Sequence, residues 1–499
     1  MVDIQSEFQL LKIEDPEMEY MPPLLLPKKF STKRSAPSDD DHDGDDAPEE
    51  IFADRFSHRK RKRIRKGDAL ARTDEQYTSK FWSSAGREAL TAVLNQLMKS
   101  SNERLFILPA CPEDDLPELI PTYGNIAHSS AESADPYLCP EMEKIEDQLN
   151  AVKGKVGSMA PAAWSSLTNY TDLASTLRYS MKKDSQIELG TNAWMKFWSI
   201  LHAYPQLARF PPNTVSVHLC EAPGAFVSAL NHYLSANEPL LHKSWNWIAS
   251  SLNPYLDTPS DEAIVDDRFI RCTAQHWHFG ADGTGNLKAA ANREALVKAA
   301  ASNGQTVYLV TADGGIDCSS DFAGQEATLA SLKYAEAVTA LRLLAPGGHF
   351  ILKIFTVFRT RMCLLLRVLC SVFDQVQLYK PPTSKPGNSE VYLICLGMRR
   401  CGIAAADLLE RSRESSAALG TGLSPSFIHS ITEASRFFAD SQSAAIRINM
   451  AVFSAVRNRR LRTCFHEAKQ TFSSQFLQRH PVGQLPASTR LMFVPAVEP

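Results

Sequence analysis

Between residues 186 and 400 the sequence alternates short apolar runs with stretches of helical periodicity, and few folds accommodate that order. Val215-Ser216-Val217-His218-Leu219, Trp247-Ile248-Ala249-Ser250, the run from Val307 to Asp313 and the run from His349 to Phe355 read as strands. Phe269-Ile270-Arg271-Cys272 reads as a weaker one. Helical patterns at Ala225–Leu234, Ala289–Ala301 and Glu326–Leu344 separate them, the last ending at Pro346-Gly347-Gly348. Strand–helix repetition of this kind predicts an α/β fold: a mainly parallel sheet with helices on both faces. Two further strands, Gln375–Leu378 and Glu390–Leu396, are joined only by the polar loop Lys380–Ser389. A connection that short holds no crossover, so these two run antiparallel.

Charged residues interrupt three of the greasy strands. Lys353 lies inside one, Asp313 ends another, and Glu390 opens the last. Ligands of open α/β sheets bind outside the carboxyl ends of the parallel strands. Asp313 lies at such an end, Lys353 near one, and the start of an antiparallel last strand falls on the same edge. The three therefore form a candidate site, with a buried ion-pair network as the alternative. Burial of Lys353 is expected to lower its pKa and bring a neutral amine within reach.

The first strand runs into Cys220-Glu221-Ala222-Pro223-Gly224-Ala225-Phe226. A strand, a glycine turn and a helix N-terminus make a nucleotide-binding corner, in which Gly224 allows close approach to the backbone and Glu221 supplies a carboxylate. No G-x-G-x-x-G is present, which argues against NAD. Gly283-Thr284-Gly285 reads as a plain loop rather than a phosphate cradle.

Outside this core, residues 1–75 lack apolar periodicity and hold an acidic run, Asp39–Glu50, and a basic run, His58–Lys66. They read as a disordered tail; the basic run suits an import signal or an RNA-contacting arm, or is simply a solvated charge block. Residues 76–185 read as a helical accessory region, with helices at Ala89–Met98, Met142–Val152 and Ala162–Met181. Residues 401–499 read as a helical C-terminal extension, notably Ser435–Phe472, with Arg457, Arg459, Arg460, Arg462 and Lys469 on a basic face. Ten scattered cysteines without a C-x-x-C pair, an acidic N-terminus without a signal-peptide core and a net charge of −3 fit a reduced, soluble intracellular chain without a structural metal. The greasiest helix, Met362–Leu369, carries Arg367 and is far too short to span a membrane.

Glu221-Ala222-Pro223-Gly224 resembles the first motif of the FtsJ-like RNA ribose 2′-O-methyltransferases, which use S-adenosylmethionine on a Rossmann-like sheet. The likeness narrows to the cap-specific mRNA 2′-O-methyltransferases of the cap-2 group. It rests on the stretch from His218 to Phe226, then Leu230–Leu234, Leu252–Tyr255, Val310–Gly314, Gly324–Ala327 and Gly387–Tyr392. It covers residues 186–400 strongly and the following helices weakly.

The resemblance implies a Lys-Asp-Lys-Glu catalytic tetrad on Lys196, Asp313, Lys353 and Glu390, with Lys353 as general base. Lys196 is not selected by pattern: Trp194, Phe197, Trp198 and Leu201 form a helical stripe and Lys196 points nearly opposite, which by itself suggests a solvated lysine. Implied cofactor contacts are Gly224, Trp245 and Asp313, beside Glu221 from the corner. The implied reaction methylates the ribose 2′-hydroxyl of the second transcribed nucleotide of capped mRNA, with contacts to the m7G cap and the first nucleotides, no metal, and residence in nucleus and cytoplasm. Methylation of the first nucleotide, or of another RNA, shares the same tetrad; an inactive cap- or RNA-binding scaffold is the reading from a different class. Members of the group continue into a second, degenerate methyltransferase-like domain, which a chain ending at Pro499 is expected to lack.

Overall fold

The computed structural model describes Met98, residues 101–111, Asp135, and residues 137–156, 159–256, 266–302, 304–315, 324–414, 423–455 and 459–492. All of these belong to one compact unit, Tyr77–Pro499. The expected tail, its basic run and the helix Ala89–Met98, apart from Met98, lie outside the described residues.

The chain enters the sheet with β1 (Arg104–Ile107), then forms α1 (Pro140–Val156), α2 (Pro161–Thr171), α3 (Ser175–Ser185) and α4 (Asn192–Ala203). The core follows as β2 (Thr214–Leu219), α5 (Ala225–Asn237), α6 (Pro239–His242), β3 (Asn246–Ser250), α7 (Arg268–Cys272), α8 (Ala290–Ala301), β4 (Thr306–Ala312), α9 (Gln325–Leu343), β5 (Leu344–Ile354), α10 (Thr360–Val372), β6 (Phe373–Lys380) and β7 (Val391–Met398). The helices α11 (Gly402–Glu414), α12 (Pro425–Ala455) and α13 (Arg459–Arg479) close the described chain.

The seven strands form one sheet in the order β1-β6-β7-β5-β4-β2-β3. The pairs β2–β3, β2–β4 and β4–β5 are parallel; β5–β7, β6–β7 and β1–β6 are antiparallel. The antiparallel β6–β7 pair is the one read from its short loop. Every residue of β2 is buried, as a strand covered on both faces requires. One apolar layer joins the sheet to α1, α8, α9, α10, α11 and the first half of α12. A second, on the other face, gathers α3, α4, α5, α13 and the far end of α12 through Ile448 and Val452. Thus α12 crosses from one face to the other. On the way Gln442 exchanges hydrogen bonds with Ser389 Oγ (3.0 Å) and Gly387 O (3.1 Å), bracing the β6–β7 loop.

Four element expectations are corrected. Phe269–Cys272 is not a strand but α7, with Phe269 and Ile270 both buried in a small cluster with Val227 and Trp247. Successive residues of a strand point to opposite faces, and a four-residue apolar run cannot show which period it follows. The helical region before the core also contains β1, too short to carry a pattern, whose Leu105 and Ile107 face outward. The single helix read at Ala162–Met181 is two, divided where Asp172 Oδ1 accepts the Ala174 amide at 3.0 Å. Likewise Ser435–Phe472 spans parts of α12 and α13. Among the described residues no helix is long and apolar enough to cross a membrane.

Candidate active site

The carboxyl ends of β3, β2 and β4 are stitched together by main-chain bonds from Glu221 N to Ser250 O (3.1 Å) and from Asp313 N to Leu219 O (3.2 Å). This is the point where β2 sends one neighbour to each side, the switch point at which open α/β sheets hold ligands. Gly224, with φ 114°, begins α5 there. Glycine is required twice over: by that left-handed backbone, and because a Cβ would collide with the Phe269 ring.

Glu221 is buried beneath this turn, and its Oε1 accepts the amides of Phe226 (2.7 Å) and Val227 (3.0 Å). One oxygen of the carboxylate expected to meet a ligand is therefore committed to the chain's own helix. Burial, reinforced by the nearby Asp313 charge, pushes its carboxyl up to about 8 against the pull of the two amides. With those first-turn amides occupied, the corner is a poor phosphate site, in keeping with the missing dinucleotide fingerprint.

Asp313, Lys353, Glu390 and Lys196 gather next to it. Lys353 Nζ lies 3.2 Å from Asp313 Oδ1, which also accepts the Tyr392 hydroxyl at 3.0 Å. Lys196 Nζ bridges both oxygens of Glu390, at 2.7 and 2.8 Å. Ser384 Oγ donates to Glu390 Oε1 at 2.9 Å. The buried Lys380 reaches back from the end of β6 to donate to the carbonyls of Glu390 (2.7 Å) and Asn388 (2.9 Å). Each placement has a local cause. Asp313 directly follows β4, Lys353 is the penultimate residue of β5, and Glu390 directly precedes β7. Lys196 rides on α4, where the Thr191 side chain accepts the Trp194 amide at 3.3 Å, and neighbours from Trp194 to Leu201 are buried on almost every side. The face carrying Lys196 looks onto Glu390 rather than into solvent, which corrects the reading from the apolar stripe.

The electrostatics correct a second expectation. Burial is the largest influence on Lys353 and acts to lower its pKa, but the Asp313 and Glu390 carboxylates outweigh it, so the value is raised above that of an ordinary lysine. The resting amine is an ammonium. Burial acts to raise Glu390, yet Lys196, Lys353 and Lys380 hold it down to about 2. Lys380, with burial outweighing the Glu390 charge, falls to about 7.

Trp245 is not brought to this edge. It precedes β3, at the amino end of the parallel strands, and its indole N–H donates to Ser216 Oγ at 2.9 Å. Ser216 in turn meets His218 Nε2 (2.9 Å), and His218 Nδ1 meets Thr311 Oγ1 (2.8 Å). An indole at a strand start finds its partner on the adjacent strand, and the resulting chain is internal: burial holds His218 neutral, its pKa lowered to about 3. The Gly283–Gly285 segment behaves as a loop, with Gly283 O accepting from Asn253 Nδ2 at 2.8 Å.

Sequence reasoning missed Tyr392, Ser384 and Lys380. Tyr392 and Lys380 carry a polar tip in a buried stretch, a signal that asks for a partner without naming it. Among the described residues no group of three or more His, Cys, Asp or Glu is arranged to hold a metal ion.

Residues 190–398 match the FtsJ-like methyltransferase family. Over 266 residues the chain is 41% identical to a Drosophila melanogaster protein named cap-specific mRNA (nucleoside-2′-O-)-methyltransferase 2, a match covering 53% of this chain and 38% of that one. The Danio rerio protein of the same name is 41% identical over 267 residues, 52% of this chain and 36% of its own. A probable methyltransferase of African swine fever virus is 28% identical over 274 residues, 52% of this chain and 62% of the viral one. The match thus spans under two fifths of the animal relatives' length. Strands β2 to β7, the glycine corner and the cluster at the carboxyl edge all lie in the segment, residues 190–398, that matches the FtsJ-like methyltransferase family, while β1 lies outside it.

Proposed function

We propose that this protein transfers a methyl group from S-adenosylmethionine to the ribose 2′-hydroxyl of the second transcribed nucleotide of capped mRNA, with Lys353 as general base. The observation that carries the reading is the convergence of Lys196, Asp313, Lys353 and Glu390 from four separate elements within 2.7 to 3.2 Å pairings. The animal relatives' names supply the cap and the 2′-oxygen.

The corner suits a cationic donor better than an anionic one. Its first-turn amides are taken by Glu221, while the Asp313 carboxylate stands within electrostatic reach of Glu221. Gly224 and Asp313 would hold the cofactor at that corner. When bound, S-adenosylmethionine supplies an electrophilic methyl on a sulfonium. The chain supplies the rest. Asp313, itself held by the Tyr392 hydroxyl, aims the Lys353 amine, and Lys196 with Ser384 fixes Glu390 on its other side. Lys353 must shed its own proton before it accepts one from the ribose hydroxyl, so any added positive charge at the edge favours the working form. Aligning the hydroxyl with the methyl supplies much of the remaining acceleration.

A polyanionic substrate agrees with the charges around the mouth of the cluster. The Lys385 ammonium, its pKa lowered first by burial against the pull of the Asp172 carboxylate, also feels the positive charges of Lys196 and Arg178. Of these, Lys385 on the β6–β7 loop and Arg178 on α3 suit the phosphates of an RNA strand, while Lys196 is engaged by Glu390. Residence in both nucleus and cytoplasm belongs to the same reading, and the basic run His58–Lys66 suits it as an import signal or as an RNA-contacting arm.

The test is transfer of labelled methyl to RNA ending in cap-0, in cap-1 and in no cap, followed by nuclease mapping of the modified nucleotide. Label on the second nucleotide of the cap-1 RNA is expected. Label on the first nucleotide or at internal positions would replace the substrate assignment, and no transfer to any RNA would end it.

A further inference from the structure

Directly after Asp313 the chain passes Gly314, whose main-chain N–H and C=O are gripped by two residues of α9. Glu336 Oε1 accepts the Gly314 N–H at 3.0 Å, and Lys333 Nζ donates to the Gly314 carbonyl at 2.8 Å. Lys333 Nζ and Glu336 Oε2 close the ring at 2.8 Å. The lysine side chain is 2% exposed and the glutamate 0%, so the pair sits wholly inside the protein one helical turn apart. Such a pair is a weak source of stability, because desolvating two charges costs about what their attraction returns, and uncharged side chains of equal volume often serve the fold as well. What it does is fix both main-chain polar atoms of one residue, and so the two peptide groups that flank the Gly314 Cα. The grip also demands glycine: a Cβ on residue 314 would collide with Glu336 Oε1.

We propose that Lys333 and Glu336 are positioning residues for methyl transfer, holding the main chain at Gly314 and through it the Asp313 carboxylate that aims Lys353. The inference rests on the assignment of Lys353 as the base. The charges around the pair are accounted for on every side. Glu336 faces Lys333 on its own helix, the Cys220 thiol in the β2–α5 corner, the Gly314 peptide after β4 and Lys353 of β5. Burial, with Glu336 beside it, raises the Cys220 pKa well above the usual thiol value, so that thiol carries no charge. Lys353 faces Asp313, Glu390 and Glu336, and all three charges favour its ammonium.

Two variants separate position from charge. Glu336→Gln keeps the shape and removes the negative charge, leaving Lys333 uncompensated near Lys353. Lys333→Met/Glu336→Gln removes both charges, leaves no unpaired buried ion, and carries the test if the single variant does not fold. Both are expected to lower kcat by tenfold or more while KM for RNA stays within about twofold, because a misaimed base loses transition-state and not ground-state interactions. The pH at which kcat rises should move to lower pH in Glu336→Gln and return towards the wild-type position in the double variant. A purely structural role would lower the amount of folded enzyme and leave that pH where it is. Wild-type kcat in the double variant, or an unmoved pH profile in Glu336→Gln, overturns the proposal. Titration of the Lys353 amine by nitrogen NMR in the ligand-free protein reads the same shift without turnover. If the wild type transfers no methyl, the function assignment fails, while an unshifted Lys353 in Glu336→Gln still overturns the electrostatic link described here.

Discussion

Lys196 and Glu390 are separated by 194 residues and meet at 2.7 Å, the ammonium of α4 lying between both oxygens of the carboxylate that precedes β7. The contact ties the helical layer before the core to the antiparallel end of the sheet, and it holds Glu390 ionised in a place where burial alone would protonate it. Each residue explains the other's presence in an otherwise apolar setting.

Removing that ammonium leaves Glu390 with a weaker set of partners. Lys196→Met is expected to lower methyl transfer by at least a hundredfold and to cost about 2 kcal/mol of folding stability, the scale of a lost hydrogen bond to a charged group. A urea midpoint and a single-turnover rate check the two parts. Turnover near that of the wild type would remove Lys196 from the site.

Lys353→Ala should abolish transfer and leave S-adenosylmethionine binding, read by calorimetry, largely intact. The wild-type rate carries a pH signature of the same residue. Its folded-state pKa is raised by Asp313 and Glu390, so the neutral amine is scarce at neutral pH. The single-turnover rate should climb about tenfold per pH unit on the acid side of that pKa. A flat profile between mildly acidic and mildly alkaline pH would count against an amine base.

Glu221 titrates up to about 8 because burial opposes its charge. In the window from the ordinary glutamate pKa to about 8 the folded protein holds a proton that the unfolded chain has released, so this group's contribution to stability falls as pH rises through that window. Glu221→Gln keeps an oxygen for the Phe226 and Val227 amides and has no proton to lose. Its melting temperature should decline less than the wild type's between pH 5 and pH 8, on the order of a few degrees. Parallel declines would show that Glu221 is ionised throughout.

Gly224→Ala must strain a left-handed backbone and push against the Phe269 ring. The expected cost is roughly 2 kcal/mol, read as a shifted denaturation midpoint. In a Phe269→Ala background the same change should cost less, since the steric part of the penalty is gone and only the backbone part remains. Equal costs in both backgrounds would assign the whole effect to the backbone.

Much of the architecture was legible because it is written in local period and connection length. The buried runs of β2, β4 and β5 have the continuous apolar character of strands covered on both faces, and a loop from Lys380 to Ser389 leaves no room for a crossover. Those two facts alone place Asp313, Lys353 and Glu390 on one edge. The glycine corner at Gly224 was likewise readable from strand, turn and helix in sequence. Phe269–Cys272 was not, because an isolated four-residue run has no period to measure, and β1 was too short to register at all.

What the tertiary structure alone decided is which charges face one another. The helical stripe of α4 assigns Lys196 to solvent, and only the packing of that helix against the sheet edge turns the residue onto Glu390. Burial of Lys353 is visible in the sequence, but the sign of its pKa shift depends on two carboxylates that arrive from other elements and outweigh desolvation. Trp245 finds Ser216 instead of the ligand corner for the same reason: its partner lies across a parallel ladder that the sequence does not display. The sequence by itself determined the core strands from β2 to β7, most of their helical cover and the edge on which charge collects, because those follow from periodicity along the chain. Partners, protonation and aim were settled in three dimensions, because electrostatic energy depends on distances between residues that are remote in sequence.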